Sequence, residues 1–272
     1  MITGGSSGIG LATARRFAAR GANIWLLARR ATQLEAARAE VEACRIDSTQ
    51  TVGVISADIA KPDQVAAGMD LVSSVSGVPH LVMNSAGVTQ PGYFQELDLE
   101  IFRQMMEVNY FGTLHVIKVV LPGMLRRGSG HIVNVSSLAG HIGVYGYTAY
   151  GASKFALSGF TDALRAELKP LGIHVSLVVP PDTDTPQLAY DNQFKPPETK
   201  VLWFGNNPLV SANTVADSIV AGVLRKRYLI VPGIESKLLL RLSQLVGSGT
   251  YWVMDWLVAR ARREVQRKRG QV

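Results

Sequence analysis

Short runs of β-branched and other apolar residues alternate along the chain with longer segments in which apolar residues recur every three or four positions. The longer segments have the spacing of amphipathic helices, as at Leu11, Ala14 and Phe17. The short runs are continuously apolar, which is typical of parallel strands buried on both faces of a sheet. They lie at residues 1–3, 22–28, 51–57, 80–84, 130–137, 174–180 and 228–232. The pattern predicts an α/β fold, a doubly wound parallel sheet of seven strands with helices on both faces.

The length of 272 residues suits one large α/β domain, and 47% hydrophobic with 18% charged residues is typical of a chain that folds around a core. The segment from Pro180 to Pro208 is too long for an ordinary connection, so residues 186–210 are predicted to form a substrate loop. We place the main domain at residues 1–235 and an amphipathic, basic, helical C-terminal extension at residues 236–272.

The net charge of +7 is confined to the end of the chain. Residues 225–272 carry 11 Lys and Arg against 3 Asp and Glu, whereas residues 1–224 carry 17 against 18. An apolar stretch that contains Trp252 and Trp256 precedes most of the basic residues, and this order suits a lipid bilayer better than a phosphate backbone. We therefore predict no nucleic-acid partner.

The C-terminal extension is predicted to lie on an anionic membrane surface without crossing it. Arg241, a Gly-Ser-Gly break at 247–249 and Asp255 interrupt its apolar sequence, whereas a spanning helix needs about 20 mostly apolar residues. The residues expected to meet anionic lipid are Arg260, Arg262, Arg263, Arg267, Lys268 and Arg269. We also expect a homo-oligomer, and the alternative for the extension is a helix packed in its interface, with a solvated basic end.

A glycine-rich loop, TGGSSGIG, follows the first strand and opens a helix. Its glycines at positions 4, 8 and 10 let the backbone approach a pyrophosphate, whose charge is met by the helix N-terminus. Arg29 and Arg30 begin 19 residues after Gly10, where an NAD-binding protein has an acidic residue. A guanidinium pairs with the 2′-phosphate of NADP, so we predict NADP(H) as the cofactor of a Rossmann-type fold. The alternative is a pair of solvated arginines at the start of a helix.

Three tyrosines, Tyr145, Tyr147 and Tyr150, stand within six positions. A phenol with its ordinary pKa near 10 needs a nearby cation to act as an acid–base group at neutral pH. Only Tyr150 is followed by a lysine, Lys154, at the helical spacing of four residues. Ser137 ends a strand 13 residues before Tyr150, from where it can hydrogen-bond the same substrate oxygen. We predict that Tyr150 does the chemistry and that Tyr147 lines the substrate pocket.

Five motifs, in this order, resemble those of the short-chain dehydrogenase/reductase family over nearly the whole chain. They are TGGSSGIG, NSAG at 84–87, VNYFG at 108–112, IVNVSS at 132–137 and YGASK at 150–154. The resemblance implies a catalytic set of Asn109, Ser137, Tyr150 and Lys154 and no metal. It implies a cofactor cleft formed by Gly4, Ser6, Ser7, Gly8, Ile9, Gly10, Arg29, Arg30, Asp58, Ile59, Asn84, Ala86, Gly87, Tyr150, Lys154, Pro180, Thr183 and Thr185.

The family's chemistry, carried over to these positions, implies that NADPH delivers a hydride to a carbonyl carbon while Tyr150 gives a proton to the oxygen. Ser137 is then expected to hold that oxygen, Lys154 to lower the pKa of Tyr150 and to contact the nicotinamide ribose, and Asn109 to hold a relay water.

Two further segments, PPDTDTP at 180–186 and FKPPETK at 194–200, resemble the branch of the family that reduces the 3-keto group of 3-ketosphinganine (3-ketodihydrosphingosine) in sphingolipid synthesis. That resemblance implies a long-chain keto substrate. Asp182 or Asp184 is expected to pair with its amino or hydroxyl group, or else to stabilise a turn. The alternatives are a reductase of a 3-oxoacyl or steroid-like ketone and a catalytically silent, NADP-sensing binding protein.

Cys44 is the only cysteine, which excludes an intrachain disulfide and favours a reducing compartment. We expect no secretory signal, because Met1 leads directly into the glycine-rich loop. The expected location is the cytoplasm, with peripheral association to the cytosolic face of a membrane.

Overall fold

The computed structural model describes residues 1–202 and 209–269. The strands in these residues are Ile2–Thr3 (β1), Ile24–Ala28 (β2), Val52–Ser56 (β3), Leu81–Asn84 (β4), Gly130–Val135 (β5), Ile173–Val178 (β6), Thr183–Asp184 (β7), Val210–Ser211 (β8) and Leu229–Ile230 (β9). The helices are Gly8–Ala18 (α1), Ala31–Glu42 (α2), Pro62–Ser76 (α3), Leu99–Met106 (α4), Gly112–Arg127 (α5), Thr148–Leu168 (α6), Pro186–Asp191 (α7), Pro197–Val201 (α8), Ala212–Leu224 (α9), Ile234–Val246 (α10) and Gly249–Arg269 (α11). Shorter helical turns lie at Phe94–Glu96, Glu107–Phe111, Leu138–Gly140 and Lys169–Leu171, of which Glu107–Phe111 is a π turn.

Seven strands form one parallel sheet in the order β3-β2-β1-β4-β5-β6-β9. This sheet confirms the predicted fold class, and the first strand is as short as the sequence indicates. The strand order reverses between β1 and β4, because β1 to β3 run to one edge of the sheet and the later strands to the other. Ligands of doubly wound sheets bind at that reversal, outside the carboxyl ends of the strands.

Helices cover both faces of the sheet, as continuously apolar strands require. On one face α3, α5 and α6 pack around residues such as Met69 and Val116. On the other face α1, α2 and α9 pack around residues such as Leu34 and Ile219. The sheet therefore has a core on each side, and its carboxyl edge is left for a site.

The helical run Leu99–Arg127 is the one part of the described chain with the length and apolar composition of a membrane span. Its buried residues include Val116 and Val120, which pack in the core on one face of the sheet. This run is therefore a core helix of the fold, interrupted by the π turn that carries Asn109.

The C-terminal region begins at Ile234, just before the predicted domain boundary. Leu240 of α10 is 2% exposed and packs on the end of β6. Ala261 and Val265 of α11 are also buried, and this helix lies against α8. The predicted helical C-terminal region is therefore present, and both of its helices pack on the main domain.

The outer side of α10 carries an exposed row of apolar side chains. Ile234, Leu238, Leu242 and Leu245 are spaced three or four residues apart and all are exposed. Residues at this spacing share one face of a helix. We refer to these four residues as the apolar stripe.

The predicted substrate loop at residues 186–210 contains regular structure and is not one irregular loop. It includes α7, α8 and β8, which pairs with β7, while residues 203–208 lie outside the described chain. Thr199 of α8 donates a hydrogen bond to the Tyr145 carbonyl at 2.9 Å. Gly146 has a φ of +80°, and a Cβ there would lie 2.9 Å from Thr199 Oγ1. Glycine at this position thus lets α8 pack closely on the tyrosine-rich loop.

Candidate active site

A cavity of about 870 Å³ lies at the carboxyl ends of the parallel strands. Its walls come from the segments that follow β1 to β6, and from α7, β8 and the start of α10. Small-molecule sites in proteins have volumes of roughly 300–1,000 Å³. The cavity can therefore receive a cofactor together with the reacting part of a substrate.

Most of the residues predicted for the site share this cavity. Those in its lining are Gly4, Ser6, Ser7, Gly8, Ile9, Gly10, Arg29, Arg30, Asp58, Ile59, Ala86, Gly87, Ser137, Tyr150, Lys154, Pro180, Thr183 and Thr185. The two others, Asn84 and Asn109, are buried behind its wall.

The glycine-rich loop brings backbone groups to the cavity. Gly4 has a φ of +65°, and a Cβ there would lie 2.8 Å from the Ala86 backbone, so glycine is required where these two segments meet. The loop leads into α1, whose N-cap is Ser7; within the described chain this side chain makes no capping bond. The backbone amides at the start of α1 therefore form a site that fits a pyrophosphate.

Arg29 and Arg30 follow β2 at the edge of the cavity, where both are exposed. No ion pair within residues 1–202 and 209–269 engages either guanidinium group. Asp58 follows the neighbouring strand β3, and its carboxylate accepts a hydrogen bond from the Ala60 amide at 3.0 Å. The β2 end of the cavity thus carries two positive charges that fit an anionic group.

Ser137, Tyr150 and Lys154 meet from two elements of the fold. Ser137 follows β5, and its Oγ accepts a hydrogen bond from the Ala139 amide at 3.2 Å. Tyr150 and Lys154 are one turn apart on α6, and Lys154 Nζ lies 5.7 Å from the centre of the Tyr150 ring. Lys154 is 5% exposed, and its Nζ donates to the Val135 carbonyl at 2.9 Å. The spacing of four residues has therefore brought the phenol and the ammonium group together beside the serine.

Burial has the largest effect on the protonation of this cluster. It raises the pKa of Tyr150 above the ordinary value of 10, and a hydrogen bond with Ser137 acts in the opposite direction. Burial also raises the pKa of Tyr147, and it lowers the pKa of Lys154 to about 8. The expected lowering of the Tyr150 pKa by Lys154 stays a prediction, since burial and the Ser137 hydrogen bond are the two largest effects on this phenol. A phenol that keeps its proton at neutral pH suits a proton donor.

Asn109 and Asn84 position loops from behind the cavity wall. Asn109 lies in the π turn, a geometry frequent at functional sites. Its amide nitrogen donates to the Val88 carbonyl and to Ser153 Oγ, both at 2.9 Å, and its Oδ1 accepts from the Val88 amide at 2.8 Å. Asn84 Nδ2 donates to Asn134 Oδ1 at 2.9 Å. Asn84 is absent from the cavity lining and its side chain lies beneath the wall, so its contact with a cofactor stays a prediction.

The segment after β6 closes the cavity opposite the glycine-rich loop. Thr185 caps α7, since its Oγ accepts a hydrogen bond from the Leu188 amide at 3.3 Å. A Cβ added at Gly8 would lie 3.1 Å from the Thr185 methyl carbon. The Thr183 hydroxyl donates to the Pro181 carbonyl at 2.8 Å. These contacts hold the segment against the part of the cavity that fits the cofactor.

Of the two aspartates predicted to contact the substrate, one lies in the cavity. Asp182 lines the cavity and pairs with Lys195 at 3.5 Å, whereas Asp184 is exposed and lies away from the lining. Sequence reasoning missed Asp191, which ends α7, is 6% exposed and lines the cavity. No motif marks this residue, because only the fold of α7 turns it inward.

Tyr147 lines the cavity, in agreement with its predicted place, and its ring lies 5.9 Å from that of Tyr150. It also lines a second cavity of about 570 Å³, whose other wall is α11. Tyr147, like Val144, therefore lies next to both the candidate site and the cavity beside the C-terminal helix.

Known proteins have sequences similar to this chain. A 3-dehydrosphinganine reductase from Danio rerio is 44% identical over 203 residues, which cover 74% of this chain and 61% of that protein. A 3-ketodihydrosphingosine reductase from Dictyostelium discoideum is 38% identical over 252 residues, which cover 88% of this chain and 75% of that protein. The chain thus spans about three fifths of the length of the first of these relatives.

A solved structure agrees with the fold. The short-chain dehydrogenase from Sphingobium yanoikuyae in complex with NADPH is 27% identical, with a TM-score of 0.77 over 93% of this chain and 94% of that one. The family model described as short chain dehydrogenase matches residues 1–196. With the serine, tyrosine and lysine gathered beside a glycine-rich loop, this chain belongs to the short-chain dehydrogenase/reductase family.

Proposed function

We propose that this protein reduces the 3-keto group of a long-chain amino ketone of the 3-ketosphinganine type, with NADPH as the hydride donor. The observation that carries the proposal is that Ser137, Tyr150 and Lys154 share one cavity with the glycine-rich loop. The relatives from Danio rerio and Dictyostelium discoideum, at 44% and 38% identity, favour this substrate over a 3-oxoacyl or steroid-like ketone.

The choice of NADPH over NADH rests on Arg29 and Arg30. Both line the cavity at the end of β2, the strand end that meets the adenosine ribose in Rossmann folds. A guanidinium group binds a phosphate through two parallel hydrogen bonds, which the 2′-phosphate of NADP can accept. The start of α1 would hold the pyrophosphate, and Lys154 would contact the nicotinamide ribose. When bound, NADPH supplies the hydride that reduces the carbonyl carbon.

The protein's own residues supply the proton and hold the reacting oxygen. Tyr150 gives its phenolic proton to the carbonyl oxygen as negative charge develops there, and the product is a secondary alcohol. Ser137 donates a hydrogen bond to the same oxygen and keeps it beside the phenol. Lys154 stabilises the phenolate that remains, which then regains a proton from solvent. Asn109 is a positioning residue that fixes the loop after β4 through Val88.

We also propose that α10 and α11 lie on an anionic membrane at its cytosolic face. On α11 the exposed face carries Trp252 and Trp256, followed by Arg260, Arg263 and Arg267. Their spacing of three or four residues puts them on one side of the helix. Tryptophan suits the headgroup boundary, and each arginine near anionic lipid contributes about 1 kcal/mol to binding.

The position of α10 supports the link between membrane and substrate. The apolar stripe starts at Ile234, which also lines the cavity together with Leu239. Ile234 and Leu239 therefore give the cavity that holds the catalytic cluster two apolar lining residues at α10, with Glu235 and Ser236 between them. We propose that the long alkyl chain of the substrate contacts these apolar residues.

The proposal is tested by NADPH consumption with 3-ketosphinganine, a short 3-oxoacyl thioester and a steroid ketone. We expect 3-ketosphinganine to have the highest kcat/KM. Tyr150→Phe should lower that rate by about a hundredfold or more, because it removes the proton donor. The matched variant Tyr147→Phe removes a neighbouring phenol and should keep most of the activity.

Comparable rates in Tyr150→Phe and the unmodified protein would contradict the assigned chemistry. A preference for the thioester or the steroid would retain the chemistry and refute the substrate. NADPH binding without consumption of any of the three ketones would favour the silent binding protein.

A further inference from the structure

Asp191 is a buried carboxyl group on the substrate side of the cavity. It is 6% exposed and shares the cavity lining with Ser137, Tyr147 and Tyr150. Its Oδ1 has no hydrogen-bond partner within residues 1–202 and 209–269. A buried, unpaired polar atom destabilises a folded protein, so such an atom in a ligand cavity points to a ligand that satisfies it.

Lys195, in the same cavity lining, offsets only part of the effect of burial on this carboxyl. Lys195 is the lysine closest in sequence, but its ammonium group pairs with Asp182 at 3.5 Å, and among the described residues no ion pair joins it to Asp191. Burial raises the pKa of Asp191 to about 7; the charge of Asp182 acts in the same direction, while Lys195 and the Thr89 hydroxyl oppose it. Asp191 is therefore only partly ionised near neutral pH, and a cation brought by a ligand would favour its ionised form.

The charge of Asp191 acts on the group that donates the proton. When ionised, Asp191 contributes to the raised pKa of both Tyr147 and Tyr150. In an α-amino ketone the nitrogen is bonded to the carbon next to the carbonyl. A side chain that binds the nitrogen must therefore lie near the side chain that protonates the oxygen, and Asp191 meets this condition.

We infer that Asp191 binds the ammonium group of an amino ketone and so selects it over neutral ketones of the same length. The inference rests on the proposed function and adds the residue that recognises the amine. Asp182 is less suited, because its side chain is 45% exposed and already paired with Lys195. Asp184 lies away from the cavity lining, in an exposed position.

The test compares kcat/KM for 3-ketosphinganine with kcat/KM for the same long-chain ketone without the amino group, at saturating NADPH. Asp191→Asn keeps the shape of the side chain and removes its charge. We expect the loss to be about ten- to a hundredfold greater for the amino ketone than for the neutral ketone, as for a lost hydrogen bond to a charged group. Asp184→Asn is the matched control and should change neither value.

Equal losses for the two ketones, or no loss for the amino ketone, would overturn the inference. A general structural defect is recognised from the melting temperature at pH 8. There Asp191→Asn should be at least as stable as the unmodified protein, because the variant no longer buries a carboxylate whose pKa is raised.

A second measurement separates this inference from the proposed function. A long-chain primary alkylamine is added as an inhibitor while the neutral ketone is reduced. Asp191→Asn should need about tenfold or more of the amine for half inhibition, compared with the unmodified protein. If the unmodified protein reduces neutral ketones but not 3-ketosphinganine, the proposed function fails, and the amine still decides whether Asp191 binds ammonium groups. Equal inhibition in the two proteins overturns the role of Asp191 whatever the natural ketone is.

Discussion

Membrane binding through the apolar stripe can be tested by changing Leu238 and Leu245 together to Ser. These side chains are 57% and 82% exposed, so their replacement should leave the fold intact. Burial of one leucine side chain contributes about 1.5–3 kcal/mol. Together, the exposed parts of the two side chains equal about 1.4 whole leucine side chains. At about 1.5 kcal/mol for each side chain, the double variant should lose about 2 kcal/mol of membrane-binding free energy. This loss corresponds to a roughly thirtyfold weaker partition into vesicles.

The assay is flotation with vesicles that contain anionic lipid, at low salt. Leu99→Ser and Leu224→Ser, on α4 and α9, are controls, because their side chains are 69% and 65% exposed outside the C-terminal helices. The controls should float as well as the unmodified protein, and added salt should weaken binding for all variants. Equal flotation of the double variant and the controls would refute the reasoning. If the unmodified protein stays in solution and the double variant turns a dimer into monomers, the stripe is a subunit interface.

Two further predictions concern the cofactor and acid stability. Arg29→Asp should weaken NADPH binding far more than NADH binding, because it replaces a phosphate partner by a repelling charge. Titration of the variant with each cofactor tests this prediction, and equal weakening of the two affinities would refute it. Burial, with smaller effects of His174 and Lys226, lowers the pKa of His131 from 6.5 to about 4. The unfolded chain therefore binds this proton more readily, and the stability conferred by the neutral ring is lost as the pH falls from about 6.5 to 4, by about 3 kcal/mol. Urea unfolding of the unmodified protein and His131→Gln at pH 4 and 7 measures the difference, and the same pH dependence in both would exclude His131 as its source.

Much of the fold was predictable because its signals are local or periodic. Strands buried on both faces appear as continuous apolar runs, and their alternation with helical segments indicates a parallel sheet. The pairing of Tyr150 with Lys154 needs only one turn of α6, so a spacing of four residues was sufficient. The position of Arg29 at the cavity edge was likewise predictable, from its spacing in sequence after the glycine-rich loop.

Features that depend on distant segments were not predictable. Asp191 becomes a buried carboxyl only when α7 folds over the cavity, and its sequence neighbours do not indicate this. Burial raises the pKa of Tyr150, and the elements that bury this side chain are spread over the whole chain. Asn84 follows its motif, but the partner that holds its side chain, Asn134, is 50 residues away. The packing of Leu240 on the main domain likewise needs the completed sheet.

Tyr147 lines two cavities of different character, as does its neighbour Val144. On one side it faces the candidate active site, and on the other it faces Met254 and Val258 of the helix proposed to rest on lipid. A displacement of that helix would change the volume of the second cavity beside the Tyr147 ring, and this ring stands edge-on to Tyr150. The helix proposed to meet the bilayer and the phenol proposed as proton donor thus both lie beside Tyr147.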